Sequence, residues 1–484
     1  MCSNIFCISP DEVEAVYFGI LLTTNLLNCL IAIASIYRII SRTIYMRQRA
    51  FTRSPMLPHH TPAVSAILPC YLPNECEIVE ATIEHILLTL ESDAPVTLWL
   101  VYNTPHKIPM QARLRALDGR TYAPGRTLRV VEAIGSSSKA ENLNVVLKQI
   151  TDPFVALYDA DHRPDRGSLQ LMMQTLLRSR ACAVQGSTYI RGAASSILGR
   201  AVNAEFFVTH FVYFPAMQVL SGTGYFGGSN ALWRTDVLRK YGFDSSMHCE
   251  DVDLSARVIL DGHRISFCPR ASSGELTPAG NKALIQQRLR WFIGWEQVTR
   301  KYYWRVFGSS LGPPRKLGFC YMFHLRWYLL LAALMGAVIN PVITSPFVYP
   351  LPTWSLAIQS CVYTAVSAYL FVAVLALCIC VWHQPKRPSA WFSVCAFFLF
   401  SWLYVALHFS LQTIALMQVL SGRVGEWKVT QRSVDCTLPV GTEGKADEEE
   451  SFVQRGGHVG SASLKPLKEL LLPPSQPPAM RRPV

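Results

Sequence analysis

Apolar positions along this chain fall into three regimes. Val16–Ile40 is a nearly unbroken apolar run, long enough to cross a bilayer as a helix. Residues 61–300 instead alternate short β-rich runs with helical stretches. Three more apolar segments follow, at about 319–344, 354–382 and 390–419. Within 61–300, Ala63–Pro69, Val96–Tyr102, Thr127–Val131, Phe154–Tyr158 and Ala181–Gln185 read as buried strands. Lys282–Tyr303 reads as one helix with aromatic residues on more than one side. This alternation predicts an α/β domain with a mostly parallel, doubly wound sheet. In such sheets the ligand sits beyond the carboxyl ends of the strands. From residue 433 to residue 484 the chain is polar and Pro-rich, with an acidic run at Asp447–Glu450, and reads as disordered. No internal repeat is present.

Composition sharpens this picture. Half of the residues are hydrophobic and only 16% are charged, against about a quarter in a soluble domain. The net charge is +12, but several basic residues (Arg38, Arg42, Arg47, Arg49 and Arg53) directly follow the first apolar run. That is the positive-inside pattern. It places segment 1–15 outside the cytosol, 16–40 across the membrane and 61–300 in the cytosol. A signal peptide fits poorly, because Asp11, Glu12 and Glu14 precede the run and the run is too long. The loop Pro341–Trp354 lacks basic residues and suits the outside; Lys386 and Arg387 suit the inside. A third full crossing would then put the tail outside, whereas Arg423, Lys428 and Arg432 favour a cytosolic tail. The segments within 319–420 are therefore expected to be transmembrane or interfacial. No zinc-finger or RNA-recognition signature accompanies the charge, so nucleic acid is not an expected partner. Of fourteen cysteines, six lie in or beside the apolar segments, and Cys70 and Cys76 have no partners at metal-ligand spacing. They read as small buried hydrophobes in a reduced compartment.

Five short motifs carry candidate chemistry, each with a plainer alternative. Tyr158-Asp159-Ala160-Asp161-His162 ends an apolar strand. Two carboxylates there suit a hard divalent cation that neutralises a diphosphate; a solvated acidic turn has the same pattern. His248-Cys249-Glu250-Asp251-Val252-Asp253 opens a helix. One of its acids suits a general base for a hydroxyl, although acids also favour helix N-termini for capping and dipole reasons. Gln286-Gln287-Arg288-Leu289-Arg290-Trp291 suits an interfacial amphipathic helix; Arg290 could equally hold a pyrophosphate and Trp291 stack on a sugar. Gly222–Asn230 is glycine-rich and lets backbone approach a ligand, or is a flexible turn. It is not a phosphate loop, since no Lys-Ser/Thr pair follows. Ser138–Asn144 places Lys139 and two asparagines at a loop-to-helix junction, where a capped surface helix would look alike.

Their order is more specific than any one of them. Lys139–Asn144, Asp159–Asp161, Phe226–Ser229, Glu250–Asp251 and Gln287–Trp291 follow one another between apolar blocks. This succession resembles the processive family 2 glycosyltransferases, such as cellulose, mannan, chitin and hyaluronan synthases, over roughly residues 16–432, ending in Glu426-Trp427-Lys428-Val429-Thr430. The resemblance implies a GT-A type, Rossmann-like α/β glycosyltransferase domain inserted between transmembrane helices. It implies Mg²⁺ or Mn²⁺ at Asp161, with Asp159 near the ribose or metal. It makes Asp251 the catalytic base, and puts Lys139 and Arg290 on the nucleotide-sugar. Phe226, Gly228, Ser229, Gln287 and Trp291 fall on the acceptor side. The family usually has an Asp after its second strand; this chain has Asn103, which can hydrogen-bond a base but brings no charge.

These readings converge on an inverting, single-displacement sugar transfer from a nucleotide-sugar to a growing polysaccharide, exported as it forms. UDP is the default nucleotide, with GDP open. An integral membrane protein of the plasma membrane or Golgi, with its catalytic domain cytosolic, is the implied setting. Accessory subunits are left open. The alternatives are a single-transfer glycolipid synthase of the ceramide glucosyltransferase type and a catalytically dead membrane scaffold. A transporter is a weaker alternative, since His324, Arg326 and His408 sit near helix ends rather than forming a relay.

Overall fold

A computed structural model describes residues 62–334, 356–384 and 388–424, together with most positions between 19 and 41. All of these fall in one compact unit. Segment 1–15, the basic residues from 42 to 53, the loop Pro341–Trp354, Lys386, Arg387 and the tail from 425 onward lie outside the described residues.

The five expected strands all form, as β1 (Val64–Tyr71), β2 (Val96–Asn103), β4 (Arg126–Glu132), β5 (Phe154–Leu157) and β7 (Ala183–Arg191). Four others join them: β3 (Thr121–Ala123), β6 (Arg163–Pro164), β8 (Ala231–Arg234) and β9 (Ile265–Leu276). The order across the sheet is β3-β4-β2-β1-β5-β8-β7-β9-β6. The expectation of a mostly parallel sheet needs correction. β1, β2, β4 and β5 run parallel, but β8 enters antiparallel between β5 and β7. The sheet is therefore mixed. The reversal has a structural use: it returns the glycine-rich loop to the carboxyl end of β5.

Both faces of the central strands are covered, so they read as continuous apolar runs. Alternation then sorts them by face. Ile67 of β1 joins one core with Val101, Trp233, Leu254 and Tyr302. Ala66 and Leu68 join the other with Leu98, Tyr102, Leu169 and Met172.

The helices that matter to the site are α1 (Lys139–Leu147), α2 (Ile197–Val208), α3 (Phe214–Ser221), α4 (Glu250–Leu260) and α5 (Asn281–Phe307). A π turn, Thr209–Tyr213, joins α2 to α3. Toward the C-terminus follow α6 (Arg326–Leu334), α7 (Leu356–His383) and α8 (Pro388–Leu420). Helix α1 starts where Ser138 accepts a hydrogen bond from Glu141 N (3.2 Å) and Glu141 Oε2 accepts from Ser137 N (2.7 Å). This is close to a capping box.

Helix α5 ties the sheet to the C-terminal helices. Its Glu296 is 4% exposed. Glu296 Oε1 accepts from Arg326, from Gln412 of α8 and from Trp327 Nε1 (3.2 Å). Arg300 Nη1 also donates to the carbonyl of Val419 (3.0 Å). Removing one partner of a buried ion pair leaves an uncompensated charge and typically costs about 3–5 kcal/mol. Glu296→Ala is therefore expected to lower the melting temperature of the purified full chain by several degrees. Glu296→Gln, which keeps an acceptor for Gln412 and Trp327, is expected to fall between it and wild type.

Candidate active site

The carboxyl ends of β1, β2 and β5, the glycine-rich loop and the N-terminal turns of α1 and α4 surround a cavity of about 610 Å³. Its wall contains Asp159, Asp161, Lys139, Asp251, Asn103, Arg290, Phe226, Gly228, Ser229, Gln287 and Trp291. All the residues singled out from the sequence thus meet around one space.

Asp159 and Asp161 follow β5, and with His162 they offer ligand atoms within 4.8 Å of one another. The ring nitrogens of His162 are engaged by Ser273 Oγ (3.0 Å) and Glu275 Oε2 (3.2 Å). That leaves a carboxylate pair as the natural cradle for a divalent cation, a donor set suited to a hard ion.

Lys139 reaches across this pair. Its Nζ lies 2.5 Å from Asp159 Oδ1 and 3.8 Å from Glu250 Oε1, and it donates to the carbonyl of Gly228 (2.8 Å). Burial disfavours its charge, but Asp159 and Glu250 outweigh that and hold the ammonium well above its ordinary value. Helix capping and site chemistry thus coexist at this junction: Ser138 caps the helix while Lys139 turns inward.

Asp251 occupies the first turn of α4, where Val252 N donates to Oδ1 (2.9 Å). Burial, and then the charge of Glu250, push its carboxyl up to about 7, with Lys139 opposing. Its neighbour Asp253 has a different task. Fully buried, Asp253 takes Arg257 Nε (2.7 Å), Lys301 Nζ (2.9 Å) and Tyr302 Oη (2.7 Å), joining α4 to α5.

The glycine-rich loop is held by side chains from beneath. Ser255 Oγ accepts from Phe226 N (2.9 Å), and Gln185 Oε1 accepts from Gly227 N (2.8 Å). At Gly228 φ is +86°, and a Cβ there would stand 3.0 Å from Asp251 Oδ2. Only glycine gives that conformation and that approach together. Ser229 Oγ accepts from Asp159 N (3.0 Å), so the loop positions the acidic pair. The Phe226 ring is 2% exposed and meets Trp233 edge-on (5.4 Å), which anchors the loop in the core. Asn230, at φ +49°, donates from Nδ2 to the carbonyls of Ser187 (2.7 Å) and Ala271 (2.9 Å).

Asn103 ends β2 with its amide committed. Nδ2 donates to Ser136 O (3.0 Å), and Oδ1 accepts from Asn142 Nδ2 (2.7 Å). On α5, Gln287 and Arg288 are each 1% exposed, while Arg290 and Trp291 line the cavity.

Sequence reasoning passed over two residues here, Glu75 and Glu205. Glu75, in the turn after β1, lines the cavity. Burial first, and then the charges of Asp161 and Asp159, raise its carboxyl to about 8. The carboxyl-end rule for strands was the signal available for it. Glu205 of α2 pairs with Arg288 at 2.6 Å; Arg288 lies inside the Gln286–Trp291 motif, whereas Glu205 sits in no pattern that sequence alone distinguishes from an ordinary helix.

Residues 62–294 match the family model described as glycosyltransferase like family 2. The chain is 24% identical over 324 residues to the poly-beta-1,6-N-acetyl-D-glucosamine synthase of Staphylococcus epidermidis, covering 63% of this chain and 74% of that one. It is 27% identical over 166 residues to the probable glycosyltransferase YdaM of Bacillus subtilis, covering 34% of this chain and 40% of that one. Among solved structures, the mannosyltransferase PcManGT of Pyrobaculum calidifontis, in complex with GDP-Man and Mn²⁺, aligns over 80% of this chain and 99% of that one, at 18% identity and a TM-score of 0.42.

The raised Asp251 carboxyl has a stability consequence. Its native value lies above its unfolded one, so the folded state prefers the proton. The penalty for ionising it grows as pH rises from about 4 and is complete above about 7. Asp251→Asn removes that penalty. At pH 8 the variant is expected to be more stable than wild type by about 1–3 kcal/mol, and near pH 4 about equal, as read by chemical denaturation at the two pH values.

Proposed function

Since residues 62–294 form a family 2 glycosyltransferase domain, this chain is a glycosyltransferase, and we propose that it transfers sugar with inversion from a nucleotide-sugar to a growing polysaccharide. The observation that carries the reading is Lys139 lying between Asp159 and Glu250, which puts the Asp159–Asp161 pair and the Glu250–Asp251 pair on one cavity.

Asp159 and Asp161 would hold Mg²⁺ or Mn²⁺, and the bound ion would neutralise the charge of a departing diphosphate. Asp251 takes the proton of the acceptor hydroxyl as its oxygen attacks the anomeric carbon. The bond from that carbon to the phosphate oxygen breaks on the opposite side, so the configuration inverts without a covalent intermediate. A carboxyl poised near 7 suits this role, because about half of it is ionised at neutral pH and the carboxylate is basic enough to accept the proton. Arg290 supplies positive charge on the diphosphate side. Trp291 offers a ring face to a sugar.

A polymer product is supported by the similarity to the S. epidermidis poly-beta-1,6-N-acetyl-D-glucosamine synthase. We place the C-terminal helices in a lipid bilayer, in a plasma-membrane or Golgi setting, with the catalytic domain cytosolic. Among the described residues one window, Leu403–Leu420, is long and apolar enough to cross a membrane, and 33% of it is buried. Exposed Leu399, Phe400, Leu403, Ile414, Met417 and Leu420 on α8 support a lipid-facing surface. Export of the polymer along these helices belongs to the same reading.

The test incubates the purified full chain, in lipid nanodiscs, with a panel of UDP- and GDP-sugars plus Mg²⁺ or Mn²⁺, and sizes the product. A long polymer is expected. A single glycolipid would replace the polymerase reading with a one-transfer synthase, and no turnover of any donor would leave a scaffold role. With the active donor, Asp251→Asn is expected to reduce kcat on the order of 10²–10⁴-fold. In wild type, kcat/KM is expected to fall below an acid limb near pH 7, because protonated Asp251 cannot accept the hydroxyl proton.

A further inference from the structure

The cavity extends beyond the catalytic carboxylates along α2, where Glu205 and Phe206 join its wall beside the Gln287–Trp291 segment. One guanidinium organises this end. Arg288 Nη1 donates to Gln287 Oε1 (3.1 Å), and Nη2 donates to Glu205 Oε2 (2.6 Å). Arg288 also lies over the rings of Trp291 (4.2 Å) and Phe206 (5.6 Å).

A guanidinium carries donors only. It therefore fixes the orientation of both neighbours. The oxygen of the Gln287 amide must face Arg288, which turns Nε2 away; that Nε2 is buried and has no hydrogen-bond partner among the described residues. The Glu205 carboxylate is fixed in the same way. Its Oε2 takes Arg288 and, at 2.6 Å, the hydroxyl of Tyr404. Burial pushes the carboxyl up, but Arg288 foremost outweighs this and keeps it below its ordinary value, so Glu205 is ionised. Both of these bonds fall on Oε2, which leaves Oε1 an acceptor without a donor among the described residues. A buried amide donor left unmatched is unfavourable, and the matched arrangement needs a ligand that accepts from Gln287 and donates to Glu205.

We propose that Glu205 Oε1 and Gln287 Nε2, set by Arg288, form a hydroxyl-recognising subsite for the acceptor sugar, with Glu205 a specificity-determining residue. The inference rests on the glycosyltransferase reading and deepens its acceptor side. A sugar hydroxyl both donates and accepts, so one hydroxyl or a neighbouring pair completes both groups, and the rings of Phe206 and Trp291 supply the apolar surface that pyranose C–H faces require. A lipid chain would satisfy neither polar group. Glu205→Gln inverts the recognition without changing shape. Arg288 holds the new amide oxygen, so NH₂ replaces Oε1 and the subsite becomes donor–donor. Tyr404→Phe is the control: it loosens the tie of Glu205 to α8 and leaves both recognising atoms in place.

The experiment titrates β-linked glucose, mannose and N-acetylglucosamine tetrasaccharides into the full chain in nanodiscs and follows intrinsic tryptophan fluorescence. At least one tetrasaccharide is expected to bind wild type saturably. Glu205→Gln is expected to weaken that binding at least tenfold, and Tyr404→Phe to leave it within twofold. The proposal is overturned by Glu205→Gln binding as wild type does, by Tyr404→Phe weakening binding equally, or by no tetrasaccharide binding wild type. Hydrolysis of a nucleotide-sugar by the same wild-type preparation reads the transferase assignment separately.

Discussion

Several carboxyl groups converge on one cavity, and their mutual repulsion is the constraint around which the site is built. Glu75, Asp159, Asp161, Glu250 and Asp251 all line it. Like charges at short range in a low-dielectric site push ionisation apart. Two devices manage this. Lys139 contacts Asp159 and Glu250 directly, and Glu75 and Asp251 yield by holding their protons to higher pH. Lys139 also donates to the backbone of Gly228, so the charge balance and the loop conformation depend on the same atom. The loop in turn holds Asp159 through Ser229. A cation entering at the acidic pair would meet a site whose carboxylates are already positioned, which is the preorganisation that electrostatic catalysis requires.

Helix α5 carries this order away from the sheet. Within one helix of 27 residues, Lys301 and Tyr302 fasten Asp253 of the adjacent helix, Arg288 fastens Glu205, and Glu296 fastens Arg326 and Gln412. Buried ion pairs are poor sources of net stability, because desolvation offsets the attraction. Their contribution here is register. Each pair is satisfied at one alignment of α5 against its neighbours, and a shift by one residue would strand a charge. The Gln287–Trp291 segment carries one of these fasteners, Arg288, and the others follow it on the same helix, so its position at the cavity is set from within and from its C-terminal side.

The sequence made the central strands legible because they are buried on both faces and read as unbroken apolar runs. It hid β8 and β9 for opposite reasons. Ala231–Arg234 is four residues long and directly follows the glycine-rich loop. Ile265–Leu276 is rich in serine and charge yet almost wholly buried, with Ser272 held by Asp165 and Ser273 by His162. Those tertiary partners satisfy the polar groups and cannot be seen in a linear pattern. The acidic helix start shows the same limit. Asp251 and Asp253 are equivalent by composition, and only the neighbours brought by α5 and the glycine-rich loop make one a structural ligand of Lys301 and the other a cavity carboxyl. Helix capping and a ligand-facing lysine looked like competing explanations for Ser138–Asn144; in the structure Ser138 caps the helix and the next residue, Lys139, lines the cavity.

Asn103 is explained by the same electrostatic constraint. An aspartate there could accept from Asn142, but it could not donate to the carbonyl of Ser136, which Nδ2 now satisfies. It would also place another negative charge on a wall that already holds Glu75 and the Asp159–Asp161 pair. With Asn103 5% exposed, that charge would be costly to leave unpaired. The neutral amide instead bridges the end of β2 to the loop before α1 and to α1 itself, fixing the junction from which Lys139 projects. The neutral amide at the end of β2 is thus coupled to the placement of the lysine that balances the carboxylates.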